Sequence, residues 1–130
     1  MKFNPIVPEL YVSDIDKSLD FYKWLGFEIK YDRPEKRFAF IEREGGQIML
    51  CERNGTWETA ELVYPFGRGI NLEIGTENVE ALYEKVNSTN YPIFEELSMA
   101  EYRQGNNVIR QQEFLIQDPD GFLLRFSSSK

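Results

Sequence analysis

The chain has 130 residues, 42% hydrophobic and 15% aromatic, enough to fill a core without disulfides or a structural metal in one domain or in two small modules sharing a core. Twenty-two acidic against 15 basic residues give a formal charge of −7, which argues against a nucleic-acid partner, since phosphate binding relies on a basic surface, and permits a cationic ligand. There is no histidine, which excludes His-containing triads and zinc sites, and a single cysteine, Cys51, forbids an internal disulfide.

No apolar run approaches the roughly 20 residues of a membrane span. The opening Met1-Lys2-Phe3-Asn4-Pro5 lacks the apolar core and cleavage site of a signal peptide. With one cysteine, this composition suits a reducing cytoplasm.

Ile6 to Val12 is expected as a strand, with Leu10 and Val12 on one face and Val7, Glu9 and Tyr11 on the other. Pro5 and Pro8 confine it to an edge or to a crossing between subunits, where missing N–H donors are tolerated. Ser13-Asp14 caps a helix whose buried stripe is Ile15, Leu19, Tyr22 and Leu25, and Gly26 ends it. Phe27 to Tyr31, Arg37 to Arg43 and Gln47 to Glu52 read as three strands, separated by turns at residues 33–36 and 44–46. The first half, residues 1–53, is therefore β-α-β-β-β. Residues 54–67 are an irregular linker carrying Trp57, Tyr64 and Phe66.

Residues 68–130 repeat that order. Gly69 to Ile74 is a strand, Thr76 caps a helix with Val79, Leu82, Tyr83 and Val86 on one face, and Tyr91 to Glu96 is a strand. Ser98 to Asn107, containing Tyr102, reads as a polar loop. Val108 to Gln117 and Phe122 to Ser127 form a closing hairpin across Asp118-Pro119-Asp120-Gly121. In that turn Pro presets φ, the Asp side chains bond the backbone and Gly relaxes the exit. Leu10-x-Val12-x-Asp14 lies over Leu72-x-Ile74-x-Thr76, and Gly45 to Leu50 over Gly121 to Phe126, so the unit is duplicated. The expected fold class is α+β: two β-α-β-β-β modules in a curled mixed sheet, leaving the faces opposite the helices around a cavity.

Val7-Pro8-Glu9-Leu10, Asp14 and Ser18-Leu19-x-Phe21-Tyr22-x-x-Leu25-Gly26-Phe27 resemble the opening of the glyoxalase / bleomycin-resistance / extradiol-dioxygenase (vicinal oxygen chelate) superfamily. Asp118 to Gly121 and the strand after it resemble its closing motif, so the resemblance spans nearly the whole chain. Metalloenzymes of that superfamily carry four His or Glu ligands. The resemblance places these positions at Val7, Met49, Gly69 and Arg125, none of them a normal ligand, and Arg125 sets a fixed positive charge where the cation belongs. No metal and no cofactor is expected. A hard-cation site built from Glu9, Glu73 and Asn71 is the less favoured arrangement.

The resemblance is closest to the metal-free bleomycin-resistance proteins, which share the Val-Pro-x-Leu start and the Asp-Pro-Asp-Gly-x-Leu-Leu-Arg close. It implies a homodimer, with exchange of the N-terminal strand, that sequesters an aromatic, cationic antibiotic at the subunit interface. The alternative it leaves is a divergent lyase, isomerase or dioxygenase with a non-standard site. A third reading is a dimeric scaffold whose cavity its own side chains plug.

Phe38 matches the family's stacking phenylalanine and Phe40 shares its strand face; core packing is the competing reading for both. The family's partner tryptophan falls at residues 107–110, where this chain has no aromatic; Tyr102, Trp57, Tyr64 and Phe66 are the substitutes available from loops, with a lid on the core as the competing reading for each. Glu9, Met49, Glu73 and Arg125 complete the expected ligand-binding set. Glu9 and Glu73 with Arg125 either bind a zwitterion or neutralise one another. Cys51 is expected beside Met49, buried and inert.

Overall fold

The computed structural model describes residues 1–129, and the chain divides into two compact units, Met1–Phe66 and the segment from Gly67 onward. The first unit runs β1 (Glu9–Val12), α1 (Ile15–Trp24), β2 (Glu28–Arg33), β3 (Phe38–Arg43) and β4 (Gly46–Glu52). The second runs β5 (Asn71–Gly75), α2 (Val79–Ser88), β6 (Glu95–Gln104), β7 (Asn107–Gln117) and β8 (Leu123–Ser129). Each unit is one open four-stranded mixed sheet, ordered β1-β4-β3-β2 and β5-β8-β7-β6, with the first strand parallel to the last. The duplicated α+β order expected from the repeat is present. Among the described residues no helix is long and apolar enough to cross a membrane.

In the first unit Asp14 caps α1, its carboxylate accepting from the backbone N–H of Asp16 and Lys17 at 3.0 and 3.2 Å. Ile15, Ser18, Phe21 and Tyr22 are the buried helix positions, and Leu25 is buried just beyond. The expected stripe therefore shifts: Leu19 is only half-buried, while Ser18 and Phe21 turn inward. The helix packs on β4. Leu10, Val12, Ala39, Ile41, Ile48 and Leu50 belong to the buried core.

In the second unit Leu72, Leu124 and Ile116 form one cross-strand row and Ile74, Phe126 and Phe114 the next. Phe114 and Phe126 stack at 5.5 Å, and Tyr83 of α2 meets Phe114 edge-on at 5.3 Å, which fixes this face as the one under the helix. Burying each such aromatic stabilises the fold by about 1.5–3 kcal/mol.

Five expectations need correction. Ser98 to Asn107 is not a loop: β6 runs from Glu95 to Gln104 and pairs antiparallel with β7, so Tyr102 stands in a strand. Of the strand expected over Tyr91 to Glu96, the first four residues, Tyr91 to Phe94, lie outside β6. The strand is exposed on both faces over most of its length, so no period-two apolar signal marks it and the backbone ladder carries it. β5 begins at Asn71, leaving Gly69 outside it with φ +84°. Thr76 does not cap α2; its N–H bonds the Ser127 carbonyl at 2.8 Å as the β5–β8 ladder ends, and Asn78 caps instead, accepting from Ala81 N–H. β1 is shorter than expected, starting at Glu9.

The closing turn is as the sequence predicts. Gly121 N–H bonds the Asp118 carbonyl at 2.9 Å, and Gly121 takes φ +96°. Asp118, 2% exposed, accepts from both Asp120 N–H and Phe122 N–H at 2.9 Å. Removing that carboxylate strands two backbone donors in a buried turn. Asp118→Ala is expected to lower the unfolding free energy by about 2 kcal/mol or more, with Asp118→Asn recovering part of it, in urea titrations of both variants.

Candidate functional site

The face opposite the helix in the first unit is aromatic. Glu9, Met49, Phe40 and Tyr31 form one row across the four strands, and Tyr11, Cys51, Phe38 and Arg33 the next. Phe38, Phe40 and Cys51 are buried there, with Val7, Tyr11, Tyr31 and Met49 packed against them. Tyr31 stacks on Phe40 at 5.1 Å and 15° between ring planes, and Phe3 closes over Phe40 edge-on at 5.5 Å. Burial pushes the Tyr11 phenol upward from its ordinary pKa, helped by the charges of Glu9 and Glu58. Burial likewise raises the Cys51 thiol, which makes it a poor nucleophile, as expected.

A register shift between Ile29 and Tyr31 decides this arrangement. Ile29 pairs with Ile41, yet Tyr31 pairs with Phe40 and Arg33 with Phe38, so the extra residue in β2 brings Tyr31 and Arg33 onto the phenylalanine face. Without it Lys30 and Asp32 would stand there.

The corresponding face of the second unit is polar and centred on Arg125. Its Nε donates to Asn71 Oδ1 at 3.1 Å, and its two terminal nitrogens lie 3.6 Å from Glu73 Oε1 and Glu113 Oε1. Gln111 donates from Nε2 to Glu73 at 2.8 Å and to Glu113 at 3.0 Å. The Tyr102 hydroxyl donates to Glu113 Oε1 at 2.9 Å, and the Ser127 hydroxyl to Glu73 Oε2 at 3.1 Å. The Gln111 bond, then Ser127 and the Arg125 charge, hold the Glu73 carboxyl below its ordinary pKa against partial burial. The Glu113 bond raises the Tyr102 phenol.

Of the residues expected from sequence, Phe38, Phe40, Met49 and Glu9 share the first face, and Glu73, Tyr102 and Arg125 share the second. Tyr102 stands directly across from Ile109, within the stretch where the resemblance calls for an aromatic. Among the loop alternatives, Trp57 and Tyr64 are largely exposed, while Phe66 is buried under the Arg53 guanidinium. Sequence reasoning missed Glu113. Its signal was present: an acidic residue directly before the apolar run Phe114-Leu115-Ile116, on the face that period-two alternation assigns to Arg125.

The donors do not suit a metal ion. Asn71 and Glu73, two members of the hard-cation alternative, already serve the Arg125 guanidinium. Among the described residues no three of His, Cys, Asp and Glu come together as a metal-binding group. A groove of about 320 Å³ at Gly26, Glu28, Lys30, Glu42, Arg43 and Glu44 holds no uncommitted cation, since Lys30 pairs with Glu28 and Glu42, and Arg43 with Glu44.

The family model described as "Glyoxalase/Bleomycin resistance protein/Dioxygenase superfamily" matches residues 2–126. A superfamily member from Vibrio splendidus 12B01 is 33% identical over 94% of this chain and 95% of its own, with a TM-score of 0.45. A glyoxalase/bleomycin resistance protein/dioxygenase from Alicyclobacillus acidocaldarius is 20% identical over 97% of this chain and 91% of its own, with a TM-score of 0.66. TioX from Micromonospora sp. ML1 is 19% identical over 98% of this chain and 97% of its own, with a TM-score of 0.68. No curated protein matches the sequence.

The Arg125 network has a pH signature. Glu73 is held below its unfolded pKa, so its stabilisation is present at neutral pH and is lost as the pH falls through its lowered folded pKa. The side chain of Glu113 is only 10% exposed, so removing its cation leaves a buried charge poorly compensated. Arg125→Leu is expected to cost about 1–3 kcal/mol at pH 7, with the difference from the parent shrinking toward acid pH, as read by urea unfolding across that range.

Proposed function

The chain belongs to the glyoxalase/bleomycin resistance protein/dioxygenase superfamily, and from that premise we propose that it binds a small organic molecule without a metal ion and sequesters it unchanged. The observation that carries this reading is Arg125, a permanent guanidinium 3.6 Å from each of two carboxylates, at the position where the resemblance puts the last metal ligand. A divalent ion brought to this face would meet that fixed charge. The network of Glu73, Glu113 and Arg125 keeps a surplus of one negative charge, which favours a ligand carrying a cation.

Each unit, taken by itself, offers an aromatic ring to the ligand class, Tyr102 in one and Phe38 in the other. Tyr102 is 41% exposed and anchored through its hydroxyl, which leaves it accessible to a stacking ligand. Phe38 lies on the other unit's aromatic sheet face, near Glu9 and Met49. Phe40, 1% exposed beneath Tyr31 and Phe3, is core in the single chain. In this reading two copies associate, the ligand sits at their interface and the protein works in the cytoplasm; the exposed Phe3 and Ile6 and the prolines at 5 and 8 suit a segment that crosses to a partner.

Metal-free bleomycin is the test ligand, titrated calorimetrically into chelator-treated protein. The expected result is saturable binding of about one drug molecule per chain, at micromolar Kd or better, unchanged when the chelator is omitted. Glu73→Gln is expected to weaken it about tenfold, the equivalent of ~1.4 kcal/mol. Absence of heat under both conditions contradicts bleomycin as the ligand.

A further inference from the structure

We infer that Tyr31 and Phe38 form a site for a planar cation, and that Arg33 of the same chain occupies it in the free protein. The Arg33 guanidinium carbon lies 4.7 Å from the centroid of Phe38 and 5.5 Å from that of Tyr31, with the two rings 6.0 Å apart and tilted by 37°. Both distances are within the range at which a ring face attracts a cation.

The company Arg33 keeps distinguishes it from the other guanidiniums of its unit. Arg37 is paired with Asp16 and Glu52, Arg43 with Glu44 and the Leu25 carbonyl, and Arg53 donates to the Leu62 carbonyl. Among the described residues Arg33 has neither a carboxylate partner nor a hydrogen bond to its guanidinium; the two rings alone hold it. An exposed guanidinium held only by ring faces is bound weakly and can be exchanged for another cation of the same shape.

The surroundings favour that exchange. The register shift in β2 brings Tyr31 and Arg33 to this face, so the site is built by a local distortion of the strand. Glu9 stands in the neighbouring row, and its charge and that of Glu58 both act on Tyr11 in the Phe38 row. Phe38 is 6% exposed, packed within its cluster and with the Arg33 guanidinium over its ring, so a cation that replaces Arg33 takes the ring contact the guanidinium leaves. The ligand class is a flat cation, either an extended guanidinium or a protonated heteroaromatic ring. Arg33 then sets specificity, because a neutral aromatic ligand of equal area gains less from replacing it.

The inference rests on the proposed metal-independent binding function and is tested separately from it. Proflavine, a planar tricyclic cation, and acridone, a neutral ring system of similar size, are titrated by fluorescence into the parent protein, Arg33→Ala and Arg33→Gln. Both substitutions sit at an exposed position, and circular dichroism checks that the variants keep the fold. The expected result is proflavine affinity about two- to fivefold higher in both variants, with a smaller change for acridone. Unchanged or weaker proflavine binding overturns the inference, as does an equal gain for both probes. If no variant binds proflavine while bleomycin binds the parent, the Tyr31–Phe38 site alone fails. If neither compound binds, the proposed function fails with it.

Discussion

Side-chain alternation along the strands, pinned by the parallel pairing of the first and last strand in each unit, is the constraint on which both candidate faces depend. Leu10 against Leu50 and Leu72 against Leu124 commit one face to the helix, and every neighbouring position then points the other way. A slip of one residue would exchange the two faces. The apolar rows under α1 and α2 thus position Glu9, Met49, Phe40, Glu73 and Arg125 on the opposite faces.

The two outward faces solve different problems. In the first unit the rings of Phe3, Tyr31, Phe38 and Phe40 pack together, and the Arg33 guanidinium lies on ring faces. In the second a nearly buried Glu113 must be compensated, and Arg125, Gln111 and Tyr102 all converge on it. At 3.6 Å the contacts of Arg125 with both carboxylates are longer than direct charge-assisted hydrogen bonds, so its attraction to each is mainly Coulombic. Such a guanidinium holds two carboxylates in place while leaving them able to accept a ligand's donors.

Much of this was legible in the sequence because the signals were local. Asp14 as a cap, the Asp118 to Gly121 turn and the repeated β-α-β-β-β order each follow from residue chemistry at short range. Period-two alternation correctly grouped Phe38 with Phe40 and put Glu73 on the face of Arg125. What was illegible depended on pairing. β6 has no apolar face of its own and exists through its ladder with β7. The register shift that delivers Tyr31 and Arg33 leaves no mark on the residues themselves. Thr76 and Asn78 are both good caps, and only the end of the β5–β8 ladder decides between them.

The central claim is that Arg125 supplies the fixed positive charge of the second face and so removes the need, and the room, for a metal ion. The most direct measurement is the paramagnetic resonance signal of free Mn²⁺ added to chelator-stripped protein, compared with Arg125→Glu. The expected result is that all the ion stays free with the parent chain, whereas the variant, with a third carboxylate in place of the guanidinium, takes some up. Uptake of about one ion per chain by the parent, with Arg125 intact, would contradict it.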